Sequence, residues 1–217
     1  MKSIAFIATL AIVLGVTGCA TKPPYDYTNF KNSDPKSIIV LPPKNSTTDV
    51  TATYGFYTHT QRPLSEAGFY VLPVTVVDEV FKANGISVAD EMHLVNAKKL
   101  NEIFGADAGL YINIKAYGTK YFVIGSAAVV TAEAKLVDLK TGELLWEGVA
   151  TASSEESQNN QQAGGLAGLL VTALIKQIVG TAVDQSYAVG KMTSDRLLTG
   201  GIKNGLLYGP RSPLYKK

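Results

Sequence analysis

AGLYINIK (residues 108–115) opens the stretch that settles the fold, which continues AYGTKYFVIGSAAVVTAEAKLV (116–137), DLKTGE (138–143) and LLWEGVATA (144–152). Leu110, Ile112 and Ile114 alternate with Tyr111, Asn113 and Lys115, the period of two that a strand shows when one face lies on a core. Tyr121–Ile124 and Ala127–Val137 continue the style after Gly118. DLKTGE has turn chemistry, with Gly142 where a left-handed residue is wanted. Beyond it Leu144, Trp146, Gly148 and Ala150 fall on one side, and Glu143, Leu145, Glu147 and Val149 on the other. Ala108–Ala152 therefore reads as an antiparallel meander of three strands with one face on the core.

Upstream, the pattern alternates between strands and helices. Ser37–Leu41 is a β-branched run closed by Pro42 and Pro43, which cannot continue a ladder, so it reads as a first, buried strand. Ser46–Asp49 are capping types ahead of a helix that places Val50, Tyr54, Tyr57 and Leu64 on one face, with Pro63 expected to kink or split it. Gly68 ends that helix, Phe69–Val74 reads as a strand, and Val76–Ala83 as a short helix stopped at Asn84 and Gly85. Asn96 is a good N-cap for a helix carrying Leu100, Ile103 and Phe104 at helical spacing, and Gly105 a good residue to end it.

Downstream, SSEESQNNQQAGG (153–165) is a polar loop of low complexity. Residues 166–198 follow as a long helix whose first half is apolar nearly all round, so that it is buried or paired with another helix. Leu170, Leu174 and Ile178 are its candidate interface residues, closure of the core by the same three being the alternative. LLYGPRSPLYKK (206–217) is too rich in Pro and Gly for regular structure. The fold expected is α+β, an α/β sandwich: a mixed sheet of about five strands ending in the meander, with helices packed on it and a long C-terminal helix.

Composition removes several functions. The 217 residues are 46% apolar and 18% charged, with 20 Lys and Arg against 18 Asp and Glu. That is one globular domain, able to bury roughly 70% of its unfolded surface without a staple. The balanced charge argues against nucleic acid as a partner, which calls for a basic face. A single cysteine and two histidines exclude a disulfide framework and leave little for a metal site.

That cysteine sits at an informative place. Residues 1–18 have a cation at Lys2, an apolar core from Ile4 to Val16 and small residues before Cys19, the plan of a signal peptide too short to stay as an anchor. Val16, Thr17, Gly18 and Cys19 resemble the lipobox of bacterial lipoproteins. That resemblance implies cleavage before Cys19, lipid on its thiol and its new amino group, and anchoring in outer-membrane lipid, since Ala20 replaces the Asp that marks inner-membrane retention. The mature domain then lies on the periplasmic or the cell-surface side. Residues 19–36, with Pro23, Pro24 and Pro35, read as lipidated terminus and tether, and 37–217 as the domain.

Catalytic constellations are hard to find. Ser126 in IGSAA lacks the second glycine of a nucleophile elbow. His59 and His93 sit among polar neighbours on expected helices. Gly164, Gly165 and Gly168 follow a polar loop and lack the Lys-Ser/Thr pair of a phosphate loop. Asp78 and Glu79, Asp90 and Glu91, and Glu155 and Glu156 are neighbouring carboxylates that solvation explains better than glycoside hydrolysis. Trp146 belongs on the apolar side of a strand. The eleven tyrosines supply core or interface area at low entropic cost.

Pro42, Pro43, Asn45 and Ser46, RPLSEAGFYVLPV (62–74), FGADAGLYI (104–112), KTGELLW (140–146) and YGPRSP (208–213) resemble a family of bacterial lipoproteins of unknown function. It is represented by a meningococcal surface-antigen candidate with a fold like the N-terminal domain of TolB. The resemblance implies an α/β sandwich and, by analogy with curli-secretion and TolB-type lipoproteins, a role in envelope assembly or transport. It supplies no catalytic residue, cofactor or metal. The expected function is a non-catalytic interaction and assembly module that associates with itself or with other envelope lipoproteins. A pore-forming oligomer, and then an envelope glycan hydrolase, are the alternatives.

Overall fold

Ser37–Val40 form β1, the strand around which the rest is arranged, in a computed structural model that describes residues 24–121, 125–156 and 182–216. β1 pairs in parallel with β3 (Tyr70–Val71) on one side and with β4 (Ala108–Tyr121) on the other, and β2 (Lys44–Asn45) pairs with β4 farther along. β4, β5 (Ser126–Asp138) and β6 (Leu144–Ser153) then run antiparallel, giving the order β3-β1-β4-β5-β6.

That order explains the two helical layers. The chain moves from β1 to β3, then back past β1 to β4, so right-handed crossovers put the two connections on opposite faces. The first carries α2 (Ala52–Tyr57) and α3 (Gln61–Glu66), preceded by α1 (Thr28–Ser33) before the sheet begins. The second carries α4 (Val74–Ala83), α5 (Ala89–Met92) and α6 (Ala97–Phe104). β1 is buried from both sides: Ile38 and Val40 join Phe56, Leu64, Phe69 and Trp146, whereas Ile39 and Leu41 join Val77, Phe81, Met92 and Leu100. α7 (Ala182–Leu198) adds Val189 and Leu197 to the first of these cores. The far face of β5 and β6 carries exposed Glu133, Lys135, Glu147 and Val149, with Lys135 and Glu147 paired at 3.7 Å.

Local signals were obeyed where they were strong. Asn96 caps α6 by accepting from the Lys98 amide at 2.9 Å, and Gly105 ends it at φ 65. The meander spans the expected residues, turning at Gly142 with φ 78.

Several expectations are corrected by tertiary context. The helix expected to kink or split at Pro63 is split, but the break lies upstream at Thr58–Thr60, and Pro63 lies in the first turn of α3 where its missing N–H costs nothing. Val50 and Tyr54 are exposed, and Ala52, Phe56, Tyr57 and Leu64 form the buried face. β3 stops at Val71 because Pro73 caps α4 one residue later than Leu72. At the start of β6 the register breaks: Val137 faces Leu144 but Leu136 faces Trp146. This bulge makes Leu145 an extra residue, buried, and turns Leu144 outward, the reverse of the alternation read from the sequence.

The expected tether is shorter than 19–36. Residues 25–36 fold onto the domain: Phe30 is buried beside Tyr27 and Phe69, and Tyr215 donates to Asp34. The irregular C-terminal stretch is pinned too, the Gly209 amide donating to Ala67 O at 2.8 Å and the Arg211 amide to Gly68 O at 3.0 Å. The signal peptide, Cys19, the remainder of the tether, loop residues 157–165 and the first part of the expected 166–198 helix lie outside the described residues. Among the described residues no helix is long and apolar enough to cross a membrane.

Candidate interaction surface

Two surface features stand out, one at the hairpin end of the sheet and one along β6. The first surrounds the free end of the β4–β5 hairpin. Tyr117 projects from β4 under α2, where Gly55 leaves it room: a Cβ on Gly55 would lie 2.6 Å from the Tyr117 hydroxyl. Tyr187 of α7 reaches the same place, its hydroxyl 3.3 Å from Thr58 Oγ1 and its ring 4.2 Å from that of His59. Ser194 Oγ donates to His59 O at 3.0 Å and locks α7 against the break between α2 and α3. Tyr117 is buried here, whereas Val50, Tyr54, Tyr121 and Tyr187 are exposed. Such amphipathic area is typical of protein contacts.

Electrostatics here follow burial. Burial pushes the Tyr117 hydroxyl up to about 12, with Asp49 and Tyr187 adding to it. Burial holds His59 below its ordinary value, and among the described residues its Nε2 is buried without a partner.

The second feature is a groove of about 970 Å³ beside β6. As an edge strand β6 would offer unpaired backbone groups, but side chains cover them. Asn29 Nδ2 donates to Leu144 O at 3.3 Å, the Glu147 amide donates to the Tyr25 hydroxyl at 3.1 Å, and Arg196 donates to Thr151 O. Trp146 Nε1 donates to Asn204 O at 3.3 Å and forms the floor with Gly148. The walls hold charges of both signs, Asp26, Glu133 and Glu147 against Lys135, Arg196 and Lys203.

The residues considered for catalysis are scattered. His93 Nε2 bonds Pro42 O at 2.9 Å and its ring meets Tyr111 edge-on, while His59 lies on the other side of the sheet. Burial pushes His93 down to about 4. Asp78 is tied to Lys82 at 2.6 Å, Asp90 to Lys44 at 2.8 Å and Glu156 to Arg196 at 2.7 Å, cations rather than partner carboxylates. Glu79, Glu91 and Glu155 are exposed, as is Ser126 at the start of β5. Trp146 is core, 1% exposed. Among the described residues no group of three or more His, Cys, Asp and Glu is placed to hold a metal. Cys19, Leu170, Leu174, Ile178 and Gly164, Gly165 and Gly168 lie outside the described residues.

Sequence reading missed the role of Tyr25, Ile202 and Asn204, which shape the groove. The only signal was the density of aromatics, Tyr25, Tyr27 and Phe30, in a stretch otherwise suited to a tether.

The profile of the GNA1162-like lipoprotein family matches residues 25–211. A lipoprotein of Neisseria meningitidis serogroup B, NMB1124/NMB1162, is 45% identical over 207 residues, covering 94% of this chain and 95% of its own. The crystal structure of lipoprotein GNA1162 from Neisseria meningitidis is similar with a TM-score of 0.54 and 45% identity, over 68% of this chain and 100% of that one.

Proposed function

Because the chain belongs to the GNA1162-like lipoprotein family, and so is an outer-membrane, lipid-anchored protein of the envelope, we propose that it is a non-catalytic interaction and assembly module that associates with copies of itself or with other envelope lipoproteins. The lipid is carried on Cys19. The observation that supports the reading most is the exposed set of Val50, Tyr54, Tyr121 and Tyr187 grouped at one end of a sheet whose candidate acids, bases and nucleophiles are dispersed.

Photocrosslinking in intact cells tests this, with a photoreactive residue at Leu174 or at Tyr121 of the anchored chain. Adducts to a second copy or to an envelope lipoprotein are expected from both positions. Intramolecular product alone at both would overturn the proposal.

A further inference from the structure

The chain meets the folded domain at a fixed place. The Tyr25 amide donates to Asn204 Oδ1 at 3.0 Å, its hydroxyl accepts from the Glu147 amide at 3.1 Å, and the Tyr27 hydroxyl donates to Gly205 O. Phe30, 4% exposed, holds the same segment from below. From Cys19 to Tyr25 there are six Cα-to-Cα steps. Even fully extended these reach about 20 Å. With lipid on Cys19, the bilayer surface must pass within that distance of Tyr25.

The surface around Tyr25 suits such a neighbour. Leu144, Val149 and Ile202 are 38%, 65% and 45% exposed, and Lys203 stands beside Ile202. Apolar side chains can sink among headgroups while a long cation keeps its charge in water. Asp26, Glu133 and Glu147 stand there as well, so chain reach and apolar contact carry the argument rather than net charge. The opposite end of the sheet is remote: Lys135, which faces Glu147, is nine residues along β5 from Ser126, about 30 Å of strand.

We propose that the first half of β6 (residues 144–149), with Tyr25 and residues 202–205, lies against the lipid headgroups of the membrane that holds the anchor, and that the hairpin end of the sheet points away from it. This orientation rests on the lipidation of Cys19.

The test uses the purified lipidated full chain in phosphatidylcholine and phosphatidylglycerol vesicles that carry nitroxide headgroups. A fluorophore is placed on K203C or on K120C, both positions being exposed. Lipid on Cys19 leaves the introduced thiol as the reactive one. Quenching about threefold stronger at 203 than at 120 is expected from the reach of about 20 Å against a strand of about 30 Å. Equal quenching, or stronger quenching at 120, overturns the orientation. So does self-quenching at 203 without quenching by lipid, which would mean that a second copy covers this face. Mass spectrometry of the same samples separates the two readings. An unmodified Cys19 overturns the anchor and the orientation with it, whereas a modified Cys19 with equal quenching overturns the orientation alone.

Discussion

Single side chains decide how this domain responds to acid. Burial lowers both His59 and His93, the latter to about 4 against an ordinary 6.5, so both rings are neutral in the folded chain near neutrality. As pH falls the unfolded chain takes up their protons first. The stability linked to His93 is complete above about 6.5 and is lost between there and about 4. Urea titrations at a series of pH values should show the midpoint falling across that window, and replacing both rings (H59Q with H93Q) should flatten the fall. An unchanged slope in the double variant would refute the assignment. Gly148 matters at the same scale. The Trp146 ring lies over it, so that a Cβ there would be 2.4 Å from Trp146 Cζ2. G148A should therefore destabilise the domain by about 2 kcal/mol through overpacking, seen as a lower urea midpoint with an unchanged slope. A neutral G148A would show that the ring can move aside. The sequence placed Trp146 in the core correctly, but the dependence of that ring on a glycine two residues on is visible only in three dimensions.

Elements were legible to the extent that their signals were local. Asn96 and Gly105 bracket α6, and the alternation of Leu110, Ile112 and Ile114 marks β4, because caps and periodicity act within a few residues. The phase slip at Leu145 escaped for the converse reason. Two adjacent leucines offer equal apolar choices, and only the register against Leu136 and Val137 selects between them. α1 is the clearest case of tertiary override. Its six residues, Lys31 apart, are weak helix formers around one anchor, Phe30, whose ring meets Tyr27 at 6.5 Å and Phe69 at 6.4 Å. F30A should cost about 3 kcal/mol, as removal of a buried aromatic usually does. It should also raise protease cleavage near residues 24–36 at denaturant levels that leave the meander intact. Equal protection of that segment in F30A and the parent chain would show that α1 is held by its other contacts.

At the scale of the molecule, the arrangement of layers followed from strand order, and the alternation of strands and helices in the first half was enough to expect a sandwich. The surface was less readable. Leu144, Val149 and Ile202 belong to different segments, and nothing short of the fold brings them around Tyr25. Their gathering there gives the domain a near end and a far end.

The place of β1 in the sheet has a consequence for how the domain is made. Its partners are Tyr70–Val71 on one side and Ala108–Leu110 on the other, whereas the meander pairs strands that follow one another directly. A chain delivered N-terminus first exposes SIIV (37–40) long before residue 110 arrives to cover it. The meander can zip locally, but the central strand must wait for distant sequence, the kind of closure that slows folding. During that interval the most apolar of the described strands is a sticky, unclaimed ribbon, and an envelope chaperone that shields extended apolar segments would find its substrate there rather than in the finished domain.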